Sequence, residues 1–251
     1  MSDLNQNNAK PREPASFETT QWSLIVRAGH ASEMQRREAL ATLCERYWFP
    51  LYAYARRRCG DPESARDATQ SFFAQLLDSD FVANADSGRG SFRAYLITAM
   101  RNFLAKQWAA GKAQKRGGGR CRISLDFASA ESRFSIEPAT TETADLLFDR
   151  DWAVTLLQQV LNLLQNEMRA DGKEQQFDLL KGSVIGDHSQ NSYAGLAQQL
   201  GMNEATARMA ASRMRTRYRE LLRREISQTV ATPDEIDDEI RSLFRVLARP
   251  E

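Results

Sequence analysis

The chain has 251 residues, 42% of them hydrophobic and 27% charged, which is enough to bury one large core or two small ones. It has no run of about 18 apolar residues, and Met1 to Ser16, rich in Asn, Gln and Pro, lacks the apolar centre of a signal peptide. A membrane span is therefore not expected, and a cytoplasmic location is. Cys44, Cys59 and Cys121 have unrelated spacings and form neither a CxxC nor a Cys/His metal pattern, so reduced thiols and no metal or other cofactor are expected.

The formal net charge of +1 averages over blocks of opposite sign. Residues 101 to 122 hold Arg101, Lys106, Lys112, Lys115, Arg116, Arg120 and Arg122 without an acid. The stretch from Asp126 to Asp149 is acidic, and 234 to 239 reads DEIDDE. Segregated charge of this kind points to a polyanionic partner for the basic blocks.

Apolar periodicity is helical nearly throughout. TTQWSLIVRAG, with Trp22, Ile25 and Val26, predicts a first helix, and 36 to 58 predicts a second with Leu40, Leu43, Tyr47, Leu51 and Tyr54 on one side and a bend at Pro50. Asp61-Pro62-Glu63 reads as a helix start, Asp capping and Pro in the first turn, ahead of Phe72, Phe73, Leu76 and Leu77. Phe92, Leu96, Ala99 and Phe103 form one stripe of a helix beginning near Ser91. Gly117 to Gly119 and the mixture that follows show neither period nor turn logic, so 117–148 is expected to be an irregular linker. DWAVTLLQQVLNLLQNEM then predicts an apolar helix, followed by a short one around Phe177 to Leu180. After 231, Thr232, Pro233 and Glu235 suggest a capping box, and Ile236, Ile240, Leu243, Phe244 and Leu247 a last apolar stripe.

The expected fold is all-α: two small helical domains joined by the linker. The divisions are 1–16 disordered, 17–116 a helical domain, 117–148 the linker, 149–229 a second domain and 230–251 a helical extension. Within the second domain, Tyr193, Leu196, Ala197, Leu200, Gly201, Met202, Ala207 and Ala210 have helix-turn-helix spacing, with Gly201 meeting the positive φ of the turn and Asn203 as N-cap. Glu204, Ala205, Arg208, Met209 and Ser212 would then face base edges in a major groove, and Arg213, Arg215 and Arg217 phosphates. A hairpin packed only on its own domain has the same spacing. Between Asn203 and Glu225, however, stand Arg208, Arg213, Arg215, Arg217, Arg219, Arg223 and Arg224, and like charges at i, i+4 gain nothing structurally. Phosphates would supply their counter-charge.

DATQSFF places Asp67, Gln70 and Phe73 at steps of three, and SFRAYLITAMRN, with Phe92, Tyr95, Leu96 and Asn102, runs into the basic block. Together with the linker and the helix-turn-helix, this order resembles a bacterial sigma factor of the extracytoplasmic-function (ECF) group of the sigma-70 family. The extra terminal helices resemble a planctomycete-type subgroup. The resemblance implies that the region-2-like domain binds core RNA polymerase through Asp67, Gln70 and Gln75, with Phe73 in support. It implies that Arg93, Arg101, Asn102, Lys106 and Trp108, with Lys112, Lys115 and Arg116 on phosphates, bind and melt the minus-ten element of promoter DNA, where unpaired bases need stacking and hydrogen-bonding groups. It implies that the helix-turn-helix reads the minus-thirty-five element and that an anti-sigma factor is a candidate partner. The sequence departs from the family pattern at Ala207, where a larger aliphatic is usual.

Phe73, Tyr95 and Trp108 are expected in the core rather than at a contact, since large aromatics at helical spacing are usually buried. Asp67 has Arg66 and Arg58 nearby as alternative surface partners. Asp187-His188-Ser189 cannot assemble a triad from adjacent residues, and Gly111-Lys112 lacks the rest of a phosphate loop. No enzyme and no small-molecule substrate are expected. The two function classes are a promoter-specificity subunit of RNA polymerase and a stand-alone helix-turn-helix transcription regulator.

Overall fold

The structure, a computed structural model, describes residues 33–76, 91–111, 126–136, 142–185 and 193–248. Its helices are α1 (Glu33–Cys59), α2 (Pro62–Leu76), α3 (Phe92–Gly111), α4 (Phe127–Ile136), α5 (Ala144–Ala170), α6 (Glu174–Ile185), α7 (Tyr193–Gln199), α8 (Glu204–Ser227) and α9 (Ile236–Leu247), the last preceded by a 3₁₀ turn, Pro233–Glu235. No strand occurs among the described residues, as the helical periodicity predicts. No helix among them is long and apolar enough to cross a membrane.

The expected N-terminal helix with Trp22, Ile25 and Val26 lies outside the described residues, as do Leu77, Lys112, Lys115, Arg116, Cys121 and Asp187-His188-Ser189.

α1 is the central rod. Leu43, Tyr47, Leu51 and Tyr54 are buried as their spacing predicts, and Phe49, Tyr52, Ala53 and Ala55 are buried on the other sides. A helix apolar all round from Tyr47 to Ala55 belongs in the middle of a core, and α2, α4 and α5 all pack against it. The helix continues across Pro50, although proline removes one ladder hydrogen bond. α2 begins as predicted, the Ser64 N–H donating to Asp61 Oδ1 at 2.8 Å. Those backbone and hydroxyl hydrogen bonds hold the Asp61 carboxyl below the usual carboxylate range. Phe72 and Phe73 are fully buried, and the Phe72 ring meets Phe103 of α3 edge-on at 5.6 Å. Each such side chain contributes on the order of 1.5–3 kcal/mol by leaving water.

Three expectations are corrected. The stretch 117–148 is not irregular throughout: α4 forms within it, and α5 starts at Ala144, capped by Thr143, ahead of the expected boundary at 149. α4 is held by its contacts with α1. Phe127 sits between Trp48 and Tyr52 at 5.6 and 5.4 Å, Arg133 lies 3.7 Å over the Phe49 ring, and Glu131 accepts from Tyr52 and from Arg56.

The two bodies are not separate either. One buried cluster runs from Leu43 and Phe72 through Phe148, Trp152 and Leu156 of α5 to Leu221, Leu222 and Leu243. α5 lies antiparallel along α1, with Arg57 Nη1 at 2.9 Å from Asp151 and Gln159 donating to the Glu45 carbonyl. The physical reason is α5 itself, whose apolar residues cover more than one face and so need neighbours on both sides.

Third, Thr232 makes no side-chain cap, and Glu235 accepts instead from the Ala231 N–H at 3.0 Å. In α9, Leu243 is buried, Ile236, Ile240 and Leu247 are partly so, and Phe244 is half exposed.

Candidate nucleic-acid and protein-binding surfaces

α7, the turn and α8 are joined by short-range hydrogen bonds. The Met202 N–H donates to the Ala197 carbonyl at 3.0 Å and that of Gly201 to Gln198 at 3.2 Å, the closure of a helix end through a left-handed residue. Gly201 has φ 64° there, a conformation that L side chains rarely adopt. Asn203 Oδ1 then accepts from both the N–H and the hydroxyl of Thr206, at 2.8 Å each, fixing the first turn of α8. Ala207, Ala211 and Met214 form the inner stripe of α8, and Ala207 is fully buried against the crossing helix pair.

The outer face of the same turns carries Glu204, Ala205, Arg208, Met209, Ser212 and Arg213, all exposed. Arg208 pairs with Glu204 at 2.5 Å and remains 65% exposed, its guanidinium 5.7 Å from the Tyr193 ring. Arg215, half-buried, donates to the Tyr193 hydroxyl at 3.1 Å. Arg213 and Arg219 have no ion pair among the described residues.

The expectation of an uncompensated arginine row is corrected for the far half of α8. Arg217 donates to Glu167 of α5 at 2.8 Å and to Glu220 at 2.9 Å, and this pairing holds the Glu167 carboxyl below its usual range. Arg217, expected on a phosphate, has two carboxylates beside it while its side chain stays 44% exposed. Arg223 pairs with Asp237 of α9, and Arg224 lies 3.8 Å from Glu225. Glu220 and Glu225 lie on α8 itself, but Glu167 and Asp237 come from other helices, which an i, i+4 count along α8 does not register.

On α3, Asn102 and Lys106 are exposed, and Arg101 is exposed with one carboxylate, Asp145, at 3.3 Å. Trp108 is 46% exposed rather than core, and the Arg58 guanidinium of α1 lies 5.6 Å from its ring. Arg58 was not a sequence candidate. Arg93 is a correction. It is 8% exposed, bound to Glu239 of α9 at 3.0 Å and to Asp149 of α5, with its guanidinium 4.9 Å from the Trp152 ring. A guanidinium so enclosed has no edge for a phosphate. Burial opposes its charge, and the two carboxylates outweigh that effect, so its pKa is raised.

On α2, Asp67 and Gln75 are exposed and Gln70 is half-buried, with Phe73 beneath them. Asp67 has no ion pair among the described residues. Arg66 and Arg58, the expected competitors, lie instead against Phe127 and Trp108. No group of three His, Cys, Asp or Glu that could hold a metal occurs among the described residues.

Residues 43–113 match the family model of sigma-70 region 2. This stretch covers most of α1, all of α2 and α3, and every one of the α2 and α3 candidates. No curated protein and no solved structure matches the chain. A sigma-70 region 2 implies a sigma-factor role in transcription initiation, and the match supports a member of the sigma-70 family.

Proposed function

We propose that the protein is an RNA polymerase sigma factor of the ECF group, recognising a promoter through two cationic faces and opening the DNA by binding rather than by catalysis. In this reading Asp67, Gln70 and Gln75 on α2 contact core polymerase. Arg101, Asn102, Lys106 and Trp108 on α3 take the minus-ten element, with Arg58 holding the indole. The first three turns of α8 enter the major groove of the minus-thirty-five element. The observation that carries the reading is the match of 43–113 to sigma-70 region 2, followed downstream by a capped helix-turn-helix whose outward Arg208 and Arg213 remain exposed.

Physical chemistry supports the assignment of roles. An exposed indole and amide suit unpaired bases, which stack and offer their edges, and a capped helix N-terminus with arginines alongside suits the phosphates of a duplex. The reading as a stand-alone regulator differs in one measurable respect. A sigma factor binds core polymerase tightly and isolated duplex weakly, whereas a regulator binds its operator unaided. Titrating the full-length protein against core polymerase and against promoter duplex separates them. Saturable polymerase binding with weak duplex binding is expected, and tight duplex binding without polymerase binding would replace the proposal with the regulator.

A further inference from the structure

One concave site is built from residues that the proposed polymerase and promoter contacts do not use. α5, α6, α8 and α9 converge on a cavity of about 590 Å³, a volume typical of small-molecule sites. Its walls are apolar: Leu157 and Leu161 of α5, Val184 of α6, Leu222 of α8, and Ile240 and Phe244 of α9. Leu157, Leu161, Val184 and Ile240 are only partly buried and Phe244 is half exposed, so the described residues leave much of this apolar surface uncovered. Val154, 42% exposed, also lines it. Exposed apolar surface gathered in a concavity marks a binding site.

The polar groups of the cavity narrow the class of ligand. Gln158 donates to Asn162 at 3.0 Å, the Tyr218 hydroxyl donates to the Leu157 carbonyl at 3.2 Å, and Arg223 pairs with Asp237. Each has its partner within the protein. Arg219 is the exception, lining the same cavity, exposed, and without an ion pair among the described residues. With Asp237 balanced by Arg223, one uncompensated positive charge stands beside the apolar walls. Arg219 lies four residues from both Arg215 and Arg223, and like charges at that spacing are mutually unfavourable, so the helix gains nothing from a cation here. A guanidinium presents a planar pair of donors matched to a carboxylate.

We infer that this cavity binds a small amphiphilic carboxylate, its apolar body held among α5, α6, α8 and α9 and its anionic head on Arg219. A neutral apolar molecule leaves Arg219 without a partner, and a short polar acid leaves the walls wet. A cavity walled by four helices encloses a small ligand, whereas a protein partner needs roughly 800 Å² of shared face. The inference does not depend on the sigma-factor reading.

The test titrates the full-length protein by calorimetry with decanoate, kept below micelle formation, and with decanol as its uncharged counterpart. The variants are Arg219→Gln, which keeps an exposed polar side chain, and Val154→Trp, which sets an indole into the cavity from an exposed position. Urea midpoints without ligand check that both are folded. The wild type is expected to bind decanoate saturably, one to one, and to prefer it to decanol by roughly fivefold, the upper end for an exposed ion pair. Arg219→Gln should bind decanoate about fivefold more weakly and lose that preference, while Val154→Trp should bind neither molecule. Absence of saturable decanoate binding to the wild type overturns the site. So does binding that neither substitution weakens, which would place the molecule elsewhere, or equal affinity for decanol, which would deny Arg219 its role. Dimerisation of the ligand-free protein that Val154→Trp abolishes would assign the cavity to a second copy of the chain and overturn the ligand.

Discussion

Arg93 on α3 and Arg213 on α8 are the same residue on two helices that were both expected to lie on DNA, and they occupy opposite surroundings. Arg93 is enclosed by Asp149, Glu239 and Trp152, whereas Arg213 is exposed without an ion pair among the described residues. Their neighbours one and two turns on account for the difference. Arg93 continues into Ile97, Met100 and Leu104, of which Met100 and Leu104 are buried, so its direction on the helix is the core direction. Arg213 continues into Arg217, Glu220 and Arg224, all exposed. Helical register, rather than local charge density, separates a structural arginine from one available to a ligand.

The comparison breaks most readily at Arg93. Replacing it with Ala strands the buried Glu239 carboxylate and unpairs the part-exposed Asp149, which should cost about 3–5 kcal/mol, read as a lowered midpoint of urea unfolding. A change below about 1 kcal/mol would mean the network is not buried as described. Phe73→Ala should cost a similar amount, about 3–5 kcal/mol, whereas Asp67→Asn, one turn and a half away on the exposed side, should leave the midpoint unchanged and weaken binding to core polymerase. Asn203→Ala removes the cap of α8 and should cost about 1 kcal/mol.

At the other pole, Arg213→Ala should move stability by no more than about 0.5 kcal/mol. Promoter binding in the polymerase complex should lose about one unit of salt slope. An unchanged slope would place Arg213 off the DNA.

A pH dependence tests the burial on its own. Burial pushes the Cys44 thiol and the Tyr95 and Tyr218 hydroxyls up to about 12. Each is held neutral in the folded state, so its contribution is complete below the unfolded-state pKa, near 9 for Cys44 and 10 for the tyrosines, and drains away as pH rises toward 12. Unfolding midpoints measured from pH 8 to 11 should hold level to about pH 9 and then fall, and Cys44→Ala should flatten part of the fall. A flat profile in the wild type would count against the burial.

Much of the architecture was legible in the residues. Period 3.6 placed α2, α3 and α8, and Asp61, Asn203 and Gly201 marked their ends because caps and positive-φ turns are local chemistry. α4 was not legible as a helix although Phe127, Ala130 and Phe134 fall at i, i+3 and i+7, because so short a stripe between Gly-rich and Ser/Thr-rich stretches gains its order from what it touches, Trp48, Phe49, Tyr52 and Arg56. The pairing of α8 with Glu167 and Asp237 was hidden for the same reason: both acids lie far away in sequence. Arg93 was different. The signal was present in Ile97, Met100 and Leu104, and the resemblance to a DNA-contacting helix outweighed it.

The most direct measurement is transcription from a defined promoter by purified core polymerase with and without the full-length protein. The account predicts a discrete transcript that depends on the protein and is reduced in Asp67→Asn and in Arg213→Ala while folding is retained. Output equal to that of core polymerase alone, on promoters of the genome that encodes the chain, would contradict it.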